Sequence, residues 1–142
     1  MIIFEENTLM VDEIKAIRKA VGWNDFTILQ LEEALAKTVY SVVVKNEKNE
    51  AIAMGRLIGD GIYYLICDVA VVPEYQNQGI GSKNINRIVD HVKDNLALNQ
   101  RCSIQLIAAK GKESFYQKLG FRALPNENSG HGMQMFIKKE DI

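Results

Sequence analysis

Apolar residues recur along this chain with two different periods, and the changes between them predict the elements. Residues 2–5 read as a short strand. Met10, Ile14, Ile17 and Val21 then follow at three- and four-residue spacing, which predicts an amphipathic helix over 9–20, stopped by Gly22. Thr27-Ile28-Leu29-Gln30 has the capping-box pattern, in which threonine and glutamine satisfy free amides at a helix start. Ile28, Leu31 and Leu35 continue that second helix on one face. Residues 39–45 and 51–58 are apolar and flank the polar stretch 46–50, which predicts an antiparallel hairpin. Gly59-Asp60-Gly61 is a second turn. Residues 62–72 are apolar on both alternating faces, as in a strand covered on both sides and central in its sheet, and Pro73 ends the run. Ile85, Ile88, Val89, Val92 and Leu96 mark a long amphipathic helix, and 102–108 another buried strand. Lys112 to Leu119 is a short helix with Phe115 and Leu119 inward and Gly120 at a left-handed C′ position. Met133 to Ile137 reads as a final strand.

The predicted order is β-α-α-β-β-β-α-β-α-β. That is an α/β domain with a mixed sheet, an antiparallel meander followed by a strand–helix–strand crossover. There is no internal repeat or linker, so a single domain over 1–142 is expected.

Composition narrows the function classes. With 47% hydrophobic and 25% charged residues this is an ordinary globular sequence, and 142 residues bury a core without metal or disulfide staples. A formal net charge of -1 provides no global field toward nucleic acid or anionic lipid, and neither partner is expected. No apolar run is long enough to cross a bilayer, and Met1 to Glu6 lacks a basic leader region, so a cytoplasmic protein is expected. Cys67 and Cys102 lie in strand-like runs without CxxC spacing and read as small buried hydrophobes. His91, expected to face solvent on the long helix, and His131, between two glycines, have no partners at metal-ligand spacing, so no metal site is predicted.

The junction after the central strand carries the most chemistry. Val69-Ala70-Val71-Val72-Pro73 runs into Gln76-Asn77-Gln78-Gly79-Ile80-Gly81 and then directly into a helix. Glycines there let the backbone approach a ligand closely. The free amides of the helix's first turn, with the positive dipole end, suit an anion such as a pyrophosphate. A dinucleotide fingerprint needs a third glycine, but Asn84 stands there. A Walker A loop needs Gly-Lys-Ser/Thr, but the order here is Gly81-Ser82-Lys83.

Gln76-x-x-Gly79-x-Gly81 with its preceding strand resembles motif A of the GNAT superfamily of acyl-CoA N-acyltransferases. Ser114-Phe115-Tyr116-Gln117-Lys118-Leu119-Gly120-Phe121 resembles the same family's motif B. The resemblance covers nearly the whole chain and implies a mixed, splayed sheet flanked by helices. It implies that acetyl-CoA is the co-substrate. Its pantetheine arm would pair with Val69, Ala70 and Val71, and its pyrophosphate would sit on the amides of Asn77, Gln78, Gly79, Ile80, Gly81 and Ser82 after Gln76. Lys83 and Lys110 or Lys112 either add charge there or are plain solvated lysines.

Tyr116 matches the family's general acid, which hydrogen-bonds or protonates the leaving thiolate. The glutamate that some relatives use as base is replaced by Leu65, and an asparagine that touches the coenzyme in many relatives by Ala109. Asp68 is the one carboxylate of the central strand, and two roles stay open for it. It acts as the base on the acceptor amine, directly or through water, or it holds Arg56 on the neighbouring strand or caps a backbone group. Trp23, in the turn Gly22 to Asp25, is either a substrate platform or ordinary packing, and the loop Asn126 to Met133 is the other expected pocket wall. The implied activity is acetyl transfer to an amine, of a small molecule rather than a protein because no long acidic or basic tract would recruit a peptide. The departures at Leu65 and Ala109 keep a non-catalytic acyl-CoA-binding module as the alternative. Relatives of this kind are often dimers.

Overall fold

Strands β2 (Tyr40–Lys45), β3 (Ala51–Gly59) and β4 (Tyr63–Val71) form the antiparallel meander that the apolar runs and polar turns predict. The computed structural model describes residues 1–140. The chain forms two compact units, one of residues 1–107 and one from Ala108 onward. In the first, β1 (Ile3–Glu6) pairs antiparallel with β2, and β5 (Ser103–Gln105) pairs parallel with β4, giving the order β1-β2-β3-β4-β5.

Helices α1 (Val11–Ala20) and α3 (Ile80–Asn95) pack on the sheet, and α2 (Ile28–Ala36) packs on α1. Tyr40 to Val44 are all buried, which is why β2 reads as a continuous apolar run. Ile14 and Ile17 of α1, and Ile80, Ile85, Ile88 and Val92 of α3, supply the helical part of the core. Gly55 of β3 faces α3, where Asn84 and Ile88 lie against it. The alternation of a strand then sends Arg56 to the opposite face, and there it meets the same carboxylate as Arg18 of α1. The two helices thus cover opposite faces of the sheet.

Local chemistry sets the ends. The Met10 amide donates to Glu13 Oε1 at 2.9 Å, so α1 begins at Val11 and not at residue 9. Thr27 Oγ1 accepts from the Gln30 amide at 3.2 Å, the threonine half of the expected capping box. On α2 only Leu31 is buried, and Ile28, expected to face inward, is 55% exposed.

Three further expectations are corrected. The strand expected over 102–108 is a ladder only from Ser103 to Gln105. His91 is half-buried and stacks on Tyr40, with ring centroids 4.1 Å apart, so it does not face solvent. Residues 133–137 form no strand. Their apolar side chains are exposed, from 82% at Met135 to 94% at Met133, and an alternating pattern without a ladder partner does not make a strand.

The second unit contains α4 (Glu113–Lys118). Its last turn closes as expected: the Gly120 amide, at φ 103°, donates to the Gln117 carbonyl, and that of Phe121 to the Tyr116 carbonyl.

Candidate active site

Two irregularities in β4 build the site. The first is a bulge. Met54 pairs with Ala70 but Arg56 pairs with Cys67, so β4 carries one more residue than β3 between these rungs. Asp68 absorbs it at φ 56°, a left-handed conformation that aspartate tolerates better than most residues. The second is an early loss of its other neighbour. β5 pairs only with Tyr63, Tyr64 and Leu65, so among the described residues no strand lies beside the far edge of β4 from Ile66 to Val71.

The direction of the main-chain groups on that open edge follows from the ladder. The Val72 amide donates to Ile52 on the β3 side at 2.9 Å, so period-two alternation turns the N–H and C=O of Val71 to the open edge. Gln76 Nε2 already occupies the Val71 carbonyl, at 2.9 Å. The Val71 N–H is left as a free donor at the end of the open edge.

The loop beyond it carries a second set of free donors. A single 3-10 turn at Pro73–Tyr75 redirects the chain, and Asn77 at φ 64° and Gly79 at φ 80° fold it onto α3. The first helical bond of α3 is that of the Lys83 amide to the Gly79 carbonyl. Among the described residues, the six amides from Asn77 to Ser82 meet no protein acceptor. A Cβ built on Gly79 would meet nothing within 4 Å, so the space over the loop is open. Six adjacent free donors at the positive end of a sixteen-residue helix fit a pyrophosphate. Lys83 is exposed and lines a shallow cleft with Phe4 and Arg87.

On the other side of the bulge lies a charged cluster. Asp68 Oδ1 accepts from Arg18 Nη1 and Oδ2 from Arg56 Nε, each at 2.8 Å, and all three side chains are nearly buried. Of the two roles open for Asp68, the ion pair with Arg56 is present. Arg18 Nε also donates to the Asn24 carbonyl at 2.7 Å, and its guanidinium lies 5.3 Å from the Trp23 ring centroid and 4.7 Å from that of Phe26. Lys15 holds the same turn through Asp25 and the Phe26 carbonyl. Trp23, 39% exposed, is thus fixed to the bulge through Arg18. The sequence patterns pass over Arg18 and Phe26. Arg18 lies next to Ile17 at the margin of an apolar stripe, where a basic residue ordinarily marks the solvated side.

From the other face α3 grips the same bulge. Asn84 is fully buried, and its Nδ2 donates to the Met54 carbonyl at 2.8 Å, beside the register shift. The residue that breaks the dinucleotide fingerprint is therefore a structural clamp.

Cys67 and Cys102 are free and partly accessible, and burial pushes the Cys67 thiol above its usual range, which keeps it protonated and unreactive. In the second unit Tyr116 packs edge-on between the rings of Phe115 and Phe121, and burial raises its hydroxyl pKa. That hydroxyl has no hydrogen-bond partner among the described residues. Lys110 and Lys112 are exposed, and His131 lies in exposed chain outside any element. No helix is long and apolar enough to cross a membrane among the described residues.

Comparison with known proteins agrees with this geometry. The chain is 30% identical over 134 residues to GCN5-related N-acetyltransferase 1, chloroplastic, of Arabidopsis thaliana, covering 93% of this chain and 64% of that protein. It is 29% identical over 125 residues to an uncharacterized ycf52-like N-acetyltransferase of Prochlorococcus marinus, covering 85% and 67% respectively. The chain therefore spans about two thirds of the length of these relatives. Two solved structures align over nearly all of it. A probable acetyltransferase from meticillin-resistant Staphylococcus aureus superposes with a TM-score of 0.82 at 28% identity, over 98% of this chain and 100% of that one. A GNAT family acetyltransferase from Streptococcus pneumoniae gives 0.79 at 26% identity, over 99% and 100%. A model of the acetyltransferase (GNAT) domain matches residues 37–123, which include the meander, the open edge of β4, the glycine loop and α4, and the chain belongs to the GNAT family of acetyltransferases.

Proposed function

We propose that the protein transfers an acetyl group from acetyl-CoA to the amine of a small molecule. The observation that carries this reading is the run of six free amides from Asn77 to Ser82, with the Val71 N–H free on the nearby open edge of β4. Acetyl-CoA supplies the thioester; the protein supplies position and polarisation. Amides 77–82 hold the diphosphate, and the edge of Val69, Ala70 and Val71 receives the pantetheine arm as an added strand. Gln76 takes the Val71 carbonyl and leaves the Val71 N–H to polarise the thioester oxygen.

The amine nitrogen then bonds to the carbonyl carbon, the C–S bond breaks, and the nitrogen loses a proton while the sulfur gains one. Tyr116 is the residue that the family resemblance assigns to the sulfur. A thiol has a pKa near 8.5 and a tyrosine near 10, and burial raises that of Tyr116 further. Its hydroxyl therefore stabilises the departing thiolate as a hydrogen-bond donor and keeps its own proton, and the proton that the nitrogen releases balances the one that the sulfur gains. Asp68, gripped on both oxygens by guanidinium groups, acts as a positioning residue rather than as the base. A small acceptor is favoured because the chain has no long acidic or basic tract to hold a peptide.

The test is release of free thiol from acetyl-CoA across an amine panel. Amine-dependent release, reduced in Tyr116→Phe, supports the transferase. Thermal stabilisation by acetyl-CoA without release for any amine supports the second reading, a non-catalytic acyl-CoA-binding module. The glutamate missing at Leu65 and the double engagement of Asp68 are the observations in that reading's favour.

A further inference from the structure

The cluster at the β4 bulge is not electrically balanced. Two guanidinium groups face one carboxylate, which leaves one positive charge. Among the described residues no other carboxylate pairs with either guanidinium. Asp25, the carboxylate of the adjoining turn, is taken by Lys15 at 2.9 and 3.0 Å. The donors are not exhausted either. Arg18 spends Nη1 on Asp68 and Nε on the Asn24 carbonyl; Arg56 spends Nε on Asp68 and Nη1 on Thr38 Oγ1. Among the described residues the Nη2 group of each has no acceptor, yet neither is among the buried unpartnered atoms, so both reach solvent. The rings of Trp23 and Phe26, 39% and 40% exposed, flank Arg18. Asp68 precedes Val71 by three strand residues, roughly 10 Å of extended chain, which is the length of a small substrate.

We propose that the acceptor carries an anionic group in addition to its amine, received by the free Nη2 ends of Arg18 and Arg56. This deepens the acetyl-transfer reading and rests on it. A guanidinium offers paired donors in a plane, which match the two oxygens of a carboxylate or phosphate. The clamp on Asp68 fixes both forks before the substrate arrives, so little side-chain freedom is lost on binding. The same surplus charge disfavours a second cationic group on the acceptor, so polyamines are poor substrates. The exposed aromatic rings receive the apolar part of the molecule.

The experiment compares matched amines with the unmodified protein: β-alanine with its carboxamide, and phosphoethanolamine with ethanolamine. Free-thiol release gives kcat/KM for each. The expected result is a preference of about tenfold or more for the anionic member of at least one pair, as charge-assisted hydrogen bonds provide. The pair that shows it tells carboxylate from phosphate. Arg18→Gln and Arg56→Gln, checked for folding by circular dichroism, lower that ratio. Equal rates within each pair, or a preference for the uncharged member, overturn the proposal while leaving acetyl transfer intact. If no amine releases thiol, acetyl transfer fails instead. Calorimetric titration of the same pairs into protein saturated with coenzyme A then decides the anion preference alone: tighter binding of the anionic member upholds it and equal binding ends it.

Discussion

Arg56 Nε lies 2.8 Å from Asp68 Oδ2 where β3 and β4 fall out of register, so the side chain of one strand neutralises the residue that distorts the other. Asparagine also tolerates a left-handed backbone, so Asp68→Asn removes the charge without forcing the bulge. Two nearly buried guanidinium groups then lose their counter-charge. The expected cost is about 3 kcal/mol, the low end for breaking a buried pair, because each group keeps slight solvent access. Chemical denaturation measures it. A full loss of turnover in a variant of unchanged stability would assign Asp68 to proton transfer instead.

Gly79 adopts φ 80° in open space, so Gly79→Ala meets backbone strain and no clash. The expected stability loss is about 1–2 kcal/mol. The added methyl group also stands over the free amides, so the affinity for coenzyme A falls by about tenfold or more, the loss of one or two charge-assisted bonds. Fluorescence titration alongside thermal unfolding separates the two effects.

Gly55 sits under Asn84 and Ile88, and a Cβ there would lie 3.0 Å from both Asn84 Oδ1 and Ile88 Cδ1. Gly55→Ala is expected to cost about 1–3 kcal/mol by overpacking. Asn84→Ala unpairs the Met54 carbonyl and costs about the same. Together they cost less than the sum, because the shortened residue 84 makes room for the methyl group. A double-mutant cycle reads this coupling directly.

Tyr40 is buried, donates to Glu6 Oε1 at 2.6 Å, and has its pKa pushed far above 10, first by burial and then by that carboxylate. A raised pKa means that the folded state holds a proton which the unfolded chain releases at about pH 10. The stability from this pair is therefore complete below pH 10 and declines as pH rises beyond it. Tyr40→Phe is expected to lose about 1 kcal/mol at neutral pH and to show a flatter alkaline limb in melting temperature against pH.

Tyr116→Phe keeps the rings of Phe115 and Phe121 packed and removes only the hydroxyl, so the fold is retained. Turnover is expected to fall by about a hundredfold or more with little change in KM for acetyl-CoA. Because burial raises the hydroxyl pKa, the wild-type rate that depends on this proton persists to above pH 10, past the range of an ordinary tyrosine.

The meander, the long helix and the glycine loop were legible because each rests on a local signal: apolar runs parted by polar turns, a 3.6-residue stripe in α3, and glycine where the backbone turns left-handed. The bulge was not legible. One carboxylate in an apolar strand flagged Asp68, but nothing local said that α1 would supply its second arginine, fifty residues away in sequence. Trp23 stands out as an aromatic residue in a polar turn, whereas Phe26, equally exposed and closer to Arg18, directly precedes the capping threonine and carries no signal of its own. Residues 133–137 mislead for the converse reason. They have strand composition, and pairing is a property of the neighbour as much as of the segment.

Among the described residues β5 pairs with β4 at three positions, against nine residues of β4 available to it. Amide hydrogens of Ser103 to Gln105 should therefore exchange with solvent well before those of β2 and β3, which have a longer ladder on each side. A cofactor lodged along β4 would act as the missing sixth strand and slow that exchange, so the ligand completes the architecture that binds it.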